Sequence, residues 1–364
     1  MVGIFKDRSE RLVQILKEQG LEAVLLFPGV NLYYFTGFNI GLSERPSAAL
    51  IPFEEEPTLI VPRLEEELRG QKPWIKLVKI WEEHEDPFKI IAETISQMRL
   101  ADATIGLCEE VPWGWINKLE PMLPNVKFVD ISDVIYSLRM VKSEWELSNM
   151  RKACMIADKA VEAGFQTLEA GLTEMELHAT ITSEMKSLGG VPQFDIVLFG
   201  ARAALPHGRP SNAKLKRGDV VLVDTGCTFN GYYSDITRTV VFGKPSERQK
   251  RIWNLVLKAN RTAFSSIKPG TTCEDADKYA RDVISSGDFG RYFIHRLGHG
   301  IGLQGHEHPY LVKGNKLPLK SSMTFTIEPG IYIVGELGIR IEDTVVCTED
   351  GCETLTNLGR KITP

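Results

Sequence analysis

The chain has no apolar run near the roughly 20 residues that a membrane-crossing helix requires, so no membrane partner is expected. It has no basic excess either. Lysine and arginine number 43 against 48 aspartates and glutamates, a net charge of −5, which excludes a broad polyanion-binding surface and a nucleic-acid partner. Cysteine is sparse and unpatterned, with six residues at 108, 154, 227, 273, 347 and 352 and no Cys-x-x-Cys pair. That usage excludes a disulfide framework and fits reduced thiols in a cytoplasmic protein. Low-complexity tracts and Gly-rich phosphate loops are also missing. The first residues, Met1 to Arg11, are charged and lack the apolar centre of a secretory signal; they read as the start of an amphipathic helix.

What is there suits a two-domain globular protein: 364 residues, 43% hydrophobic and 25% charged. The first part alternates β-rich and helical stretches, the pattern of an α/β layered domain. Strands are expected at 22–27, 47–52, 58–61, 104–108 and 126–129, with a helix at 87–99 and a turn at Pro28-Gly29. Asn31 to Gly37 reads only as an aromatic-rich segment. The boundary falls near Ser137 to Lys142, which divides the chain into 1–135 and 136–364. Immediately afterwards Ser143-Glu-Trp-Glu146 forms a capping box, predicting a long helix to about Glu169.

A repeat follows. Thr173 with Glu176 is a second capping box, and Ser246 with Gln249 starts another long helix running to Lys268-Pro-Gly-Thr-Thr272. Gly171 and Gly270 share one spacing with Thr173 and Thr272, so each copy reads as helix, Gly-Thr turn, second helix, then strands. Two similar halves about a pseudo-twofold axis are predicted for the C-terminal α+β domain.

The chemistry concentrates on Asp224, Asp235, His299, Glu328 and Glu342. Val220 to Asp224 and Tyr233 to Phe242 are β-rich runs flanking Asn230-Gly231, the strongest short hairpin signal because a type I′ turn needs positive φ twice. With those two residues as the loop, Gly226 faces Asp235, and Asp224 lies diagonal to Asp235 on one face. Thr324 to Gly330 and Gly338 to Val346 repeat the device, bringing Glu328 and Glu342 together, with Pro329-Gly330 suggesting a bulge. His299 lies between Gly298 and Gly300, which admit close backbone approach. Acidic groups in Val/Ile-rich strands are costly unless paired or coordinated. Four carboxylates and one imidazole suit two hard divalent cations, which together polarise a carbonyl and supply hydroxide near neutral pH. Oxygen-rich ligation favours Mn²⁺ or Co²⁺, and Zn²⁺ is compatible. Cys227 should face away from this site and pack.

The wording around the five residues is specific: Asp224-Thr-Gly226, Ser234-Asp-Ile-Thr-Arg-Thr239, His295-Arg-Leu-Gly-His-Gly300, Ile327-Glu-Pro-Gly330 and Arg340-Ile-Glu-Asp343. In these motifs the chain resembles the pita-bread metallopeptidase family that includes prolidase and aminopeptidase P. The resemblance implies an α/β N-terminal domain joined to a pita-bread catalytic domain, two metal ions per chain and homodimeric assembly. It implies hydrolysis of Xaa-Pro bonds by a metal-bridging hydroxide, with Glu328 as general base. Dipeptides are the first expectation; removal of the N-terminal residue from longer Xaa-Pro peptides is the alternative, and a metal-free binding module a remote one. His207 and His306 are implied to assist catalysis, and His295 and Arg340 to contact substrate. Phe194 is a candidate wall for the proline ring. Arginine commonly follows the His-Glu-x-Pro motif in similar prolidases, whereas Tyr310 stands here, leaving Lys313 or Arg340 to meet a C-terminal carboxylate.

Overall fold

The computed structural model describes residues 2–66 and 74–364. These form two compact units, Met1–Leu138 and Arg139–Pro364. In the first, strands β1 (Ala23–Leu26), β2 (Ala48–Pro52), β3 (Thr58–Pro62), β4 (Leu77–Trp81), β5 (Thr104–Leu107) and β6 (Lys127–Asp130) make one sheet in the order β4-β3-β2-β1-β5-β6. Pairing is parallel at β3–β4, β1–β5 and β5–β6 and antiparallel at β1–β2 and β2–β3. Edge strand β4 escaped the sequence reading because it is only half covered, with Leu77 49% exposed, and Lys79 blurs the alternation. The helix Pro87–Gln97 packs Ile91 and Ile95 beneath the sheet, and Asp86 caps it by accepting from Phe88 N at 2.9 Å. The aromatic segment after Gly29 is a short helix, Val30–Thr36, closed by Gly37 at φ 75°.

The second unit carries the repeat. Helices Glu144–Gln166 and Glu174–Ser187 pack over one set of strands, and helices Glu247–Ser266 and Cys273–Ser286 over the other. Capping boxes are present at Ser143, Thr173 and Ser246. The first helix stops at Gln166, slightly short of the predicted end. The two Gly-Thr turns are pinned alike. Gly171 N donates to Leu215 O at 2.9 Å and Gly270 N to Leu319 O at 2.8 Å; Leu215 N and Leu319 N return bonds to Leu172 O and Thr271 O. Each half therefore ties its turn to the segment that leads into a site-bearing strand.

The first half's strands are β7 (Val191–Phe199), β8 (Val220–Phe229), β9 (Tyr232–Tyr233) and β10 (Ile236–Val241). Antiparallel pairs β8–β9 and β8–β10 flank a turn with Asn230 at φ 50° and Gly231 at φ 84°. Phe229 pairs with Tyr232 and Thr225 with Ile236, so the predicted register holds across Ser234-Asp235, where the ladder is interrupted.

The second half's strands are β11 (Gly298–Gly300), β12 (Glu307–Leu311), β13 (Thr324–Ile327), β14 (Gly330–Ile333), β15 (Leu337–Arg340), β16 (Asp343–Cys347) and β17 (Cys352–Thr354). Each predicted long strand is here two short ones. β13 pairs with β16, β14 with β15, and the breaks fall at Glu328-Pro329 and Ile341-Glu342. Ile327 pairs with Asp343 and Gly330 with Arg340, so no residue is inserted and Glu328 stands opposite Glu342. The expected bulge is instead a symmetric gap: Pro329 has no N–H for a ladder bond, and only a long bond from Ile341 N to Pro329 O, 3.4 Å, bridges the break.

Where the second unit begins, Arg139 Nη2 donates to Glu307 Oε2 at 2.6 Å and Lys142 Nζ to Oε1 at 2.8 Å. All three side chains are almost completely buried. Burial pushes the Glu307 pKa up, but Lys142 and Arg139 outweigh it and hold the carboxyl below the ordinary glutamate value. Its stabilisation is thus present above about pH 4.3 and is lost as pH falls through the depressed pKa. Glu307→Gln, which strands two buried cations, should cost about 3–5 kcal/mol in urea unfolding at pH 7. The gap from the parent protein should narrow toward acid; a gap independent of pH would refute the ion-triad account.

Candidate metal centre

Asp224 and Asp235 come from the interrupted hairpin of the first half, Glu328 and Glu342 from that of the second, and His299 from β11. One ligand atom each of Asp224, Asp235 and Glu342 lies within 4.8 Å of the others, and the same holds for His299, Glu328 and Glu342. The two triplets together contain all five residues and share Glu342. Close backbone packing makes this possible. A Cβ at Gly226 would stand 2.1 Å from Ser234 O, and one at Gly298 2.0 Å from Thr326 O.

Donor accounting shows why the group suits cations. His299 Nδ1 is 3.1 Å from Gly300 O, an acceptor only, so Nδ1 carries the proton. Nε2 then presents its lone pair 3.3 Å from Glu328 Oε1 and 3.6 Å from Asp235 Oδ2. Burial, then His306, keeps the ring neutral by lowering its pKa. Asp224 Oδ1 and Asp235 Oδ1 are buried without any hydrogen-bond donor, an arrangement that a metal ion would satisfy. Burial raises the pKa values of Asp235 and Glu342, and their neighbouring carboxylates raise them further. Glu328 is pushed up to about 7 by burial, with Arg340 partly offsetting it and Asp224 adding to it.

A polar chain supports the cluster. Arg340 Nη2 donates to Asp224 Oδ2, Nε to Thr237 Oγ1 at 2.9 Å and Nη1 to Tyr332 Oη at 2.7 Å. Thr237 Oγ1 passes its own proton to Glu342 Oε2 at 2.5 Å. Tyr332 Oη donates to His295 Nε2 at 2.9 Å, because His295 Nδ1 already donates to Arg296 O at 2.7 Å. Burial, then Arg340, pushes His295 down to about 4, so it stays neutral. Glu328 Oε1 accepts from Thr326 Oγ1 at 3.1 Å.

The five ligand candidates border a cavity of about 680 Å³ together with Phe194, His207, His295, His306 and Arg340. Tyr310 and Lys313, both weighed from the sequence, are not in its lining. Tyr310 pairs with His299 in the ladder and lies under the Arg296 guanidinium, 4.2 Å from the ring centroid. Arg340 and His295 line the cavity, and every side-chain nitrogen of both is engaged by protein. His306 lies over His299, ring centroids 3.7 Å apart. Cys227 is fully buried, its thiol directed at Ala153 O.

Sequence reading missed Thr237, Tyr332, Thr326 and Arg296. Thr237 was legible as a polar residue two positions from Asp235 on a buried strand. Tyr332 needed the β14–β15 register, which sets it diagonal to Arg340.

The description of metallopeptidase family M24 matches residues 148–349, and that of the creatinase/prolidase N-terminal domain residues 8–141. The Xaa-Pro dipeptidase of Pyrococcus furiosus is 38% identical over 98% of this chain and 99% of its own. The crystal structure of dipeptidase PepE from Mycobacterium ulcerans superposes with a TM-score of 0.93 at 34% identity, covering 100% of this chain and 98% of that one. X-Pro aminopeptidase from Thermotoga maritima does so with a TM-score of 0.88 at 36% identity, covering 98% and 99%.

With metal chelated away, Glu328 binds its proton more tightly folded than unfolded. The native state then holds more protons between about pH 4.5 and 7, and stability falls as pH rises through that window. A divalent cation bound there would replace those protons as counter-charge. Thermal melts between about pH 5 and 8 should show an Mn²⁺-induced gain in Tm that grows with pH; a gain that shrinks would contradict the assignment.

Proposed function

The chain belongs to metallopeptidase family M24, and from that premise we propose that it hydrolyses Xaa-Pro peptide bonds, with Xaa-Pro dipeptides as the principal substrates. Two divalent cations would be held by Asp224, Asp235, His299, Glu328 and Glu342. The observation that carries this reading is the pair of donor triplets sharing Glu342 in one cavity, with buried carboxylate oxygens left open. When bound, such a pair supplies Lewis-acid polarisation of the scissile carbonyl and a nucleophilic water.

This chain's side chains do the rest. Glu328, oriented by Thr326 and raised toward neutrality, takes the proton of the attacking water and delivers it to the proline nitrogen as that bond breaks. His306, whose pKa burial and then Arg296 lower, is neutral and able to hydrogen-bond the oxyanion side of the carbonyl; His207 faces the same cavity. An Xaa-Pro bond lacks an N–H and its ring fixes φ, so recognition must come from shape. Phe194, on β7 opposite Gly226, offers the apolar wall for the ring. The oxygen-rich donors favour Mn²⁺ or Co²⁺, with Zn²⁺ compatible. Homodimeric assembly and a cytoplasmic setting complete the reading; the six cysteines are all free thiols.

Release of proline from Leu-Pro, measured beside cleavage of Ala-Pro-Ala in Mn²⁺, tests it. We expect metal-dependent hydrolysis favouring Leu-Pro, and a loss of more than about 100-fold in Asp235→Asn with the fold retained, as expected when a metal site loses a ligand. Preference for the tripeptide would assign the aminopeptidase P activity instead. Full activity in Asp235→Asn would remove the metal-pair reading.

A further inference from the structure

Three arginines line the cavity, and they differ in what already holds them. Arg340 is saturated by Asp224, Thr237 and Tyr332. Arg209 is exposed at the rim. Arg296 is half-buried, with its guanidinium carbon over Tyr310, 4.2 Å from the ring centroid, and its Nη2 3.5 Å from His306 Nδ1. Among the described residues no carboxylate pairs with it. A guanidinium turned into a cavity without an anionic partner, yet fixed in place by an aromatic face, is preorganised for an incoming anion.

We propose that Arg296, propped on the Tyr310 ring, binds the substrate's free C-terminal carboxylate and thereby selects peptides that end one residue past the scissile bond. The inference rests on the Xaa-Pro reading above and deepens it. Reach supports it. In a dipeptide the carboxylate belongs to the residue next to the scissile carbonyl, about 3.8 Å away from one Cα to the next. A clamp must therefore stand within one side chain of the metal-binding residues. Arg296 does, because His306 touches it on one side and stacks on His299 on the other. Each further residue would carry the carboxylate about 3.3–3.6 Å onward and leave a neutral carbonyl beside Arg296. The planar fork matches a carboxylate with two parallel hydrogen bonds, a geometry that lysine lacks. Tyr310 thus supplies the platform for the cation, acting as a positioning residue outside the cavity.

The test compares kcat/KM for Leu-Pro and Leu-Pro amide in the Mn²⁺-loaded protein. The parent enzyme should prefer the free acid. In Arg296→Met, kcat/KM for Leu-Pro should fall by about 10–100-fold, mainly through KM, as befits loss of a charge-assisted pair, while the amide changes little. Arg296→Lys should fall between, which keeps the test decisive should the methionine variant fold poorly. Tyr310→Ala should raise KM for the acid, and Tyr310→Phe, which keeps the ring face, should restore it. An unchanged acid-to-amide ratio in Arg296→Met, or its loss in Arg209→Met instead, would overturn the clamp while leaving Xaa-Pro hydrolysis standing. Hydrolysis of neither substrate by the parent enzyme would remove the Xaa-Pro reading and the clamp with it.

Discussion

Four carboxylates brought within reach of one another inside a protein repel each other and lose their hydration, so each ion of the cluster must be met by a counter-charge. Arg340 provides most of it, and Arg296 adds a weaker pull on Glu328. Arg340 reaches Asp224 directly and Glu342 through the Thr237 hydroxyl, taking one oxygen of each carboxylate and leaving the second toward the site. Burial pushes Asp235, Glu328 and Glu342 up, and repulsion from neighbouring carboxylates, which Arg340 offsets only in part, adds to it. Next door, Asp343 shows the contrast. Burial pushes it up, but Arg238 and Arg360 outweigh that and hold it low. Adjacent carboxylates thus take opposite roles: Asp343 is a satisfied structural anion, and Glu342 is an unsatisfied one that divalent cations would complete.

The same economy governs the backbone. Interrupting a ladder to aim a carboxylate inward leaves buried N–H and C=O groups that must find partners elsewhere. Each half of the repeat supplies them to the other. Asp235 N donates to Thr344 Oγ1 at 3.2 Å, and that hydroxyl donates back to Asp235 O at 2.8 Å. Glu342 N donates to Thr237 O at 3.1 Å. Neither hairpin can hold its acidic residues in place alone, so the centre exists only when both halves are folded together. An acidic cluster at the seam of a duplicated unit follows from this mutual completion of hydrogen bonds.

Much of this was legible in the sequence because local rules agree with the tertiary outcome. Asn230-Gly231 set the hairpin register, capping boxes set three helix starts, and the spacing of Gly171 and Gly270 revealed the repeat. The five clustered residues were legible as buried acids in apolar strands. What escaped depended on contacts between elements far apart in the chain. Strand β4 reads poorly because an edge strand is covered on only part of its surface. The engagement of Arg340 and His295 was invisible, since it needs Tyr332 and Asp224 placed by two different hairpins. The neighbour of the Tyr310 ring was invisible for a related reason: a position in a motif does not show that Arg296 lies over it.

The fates of Arg340 and Arg296 also separate two uses of one chemistry. Both border the same cavity, and both contact a tyrosine ring. Arg340 leaves β15 directly opposite Gly330, where the strands part, and it is buried to 3% exposure; its charge therefore faces inward to the carboxylates and is neutralised there. Arg296 precedes β11 in the short linker between His295 and Leu297, and its backbone carbonyl is what orients His295. Its side chain lies across a ring face and not against an anion, so its charge remains available to the cavity. A site that must hold cations at one end and meet an anion at the other needs this division. The buried arginine trims repulsion within the acidic cluster, and in the proposed reading the half-buried one keeps a positive pole where the substrate would carry its negative charge.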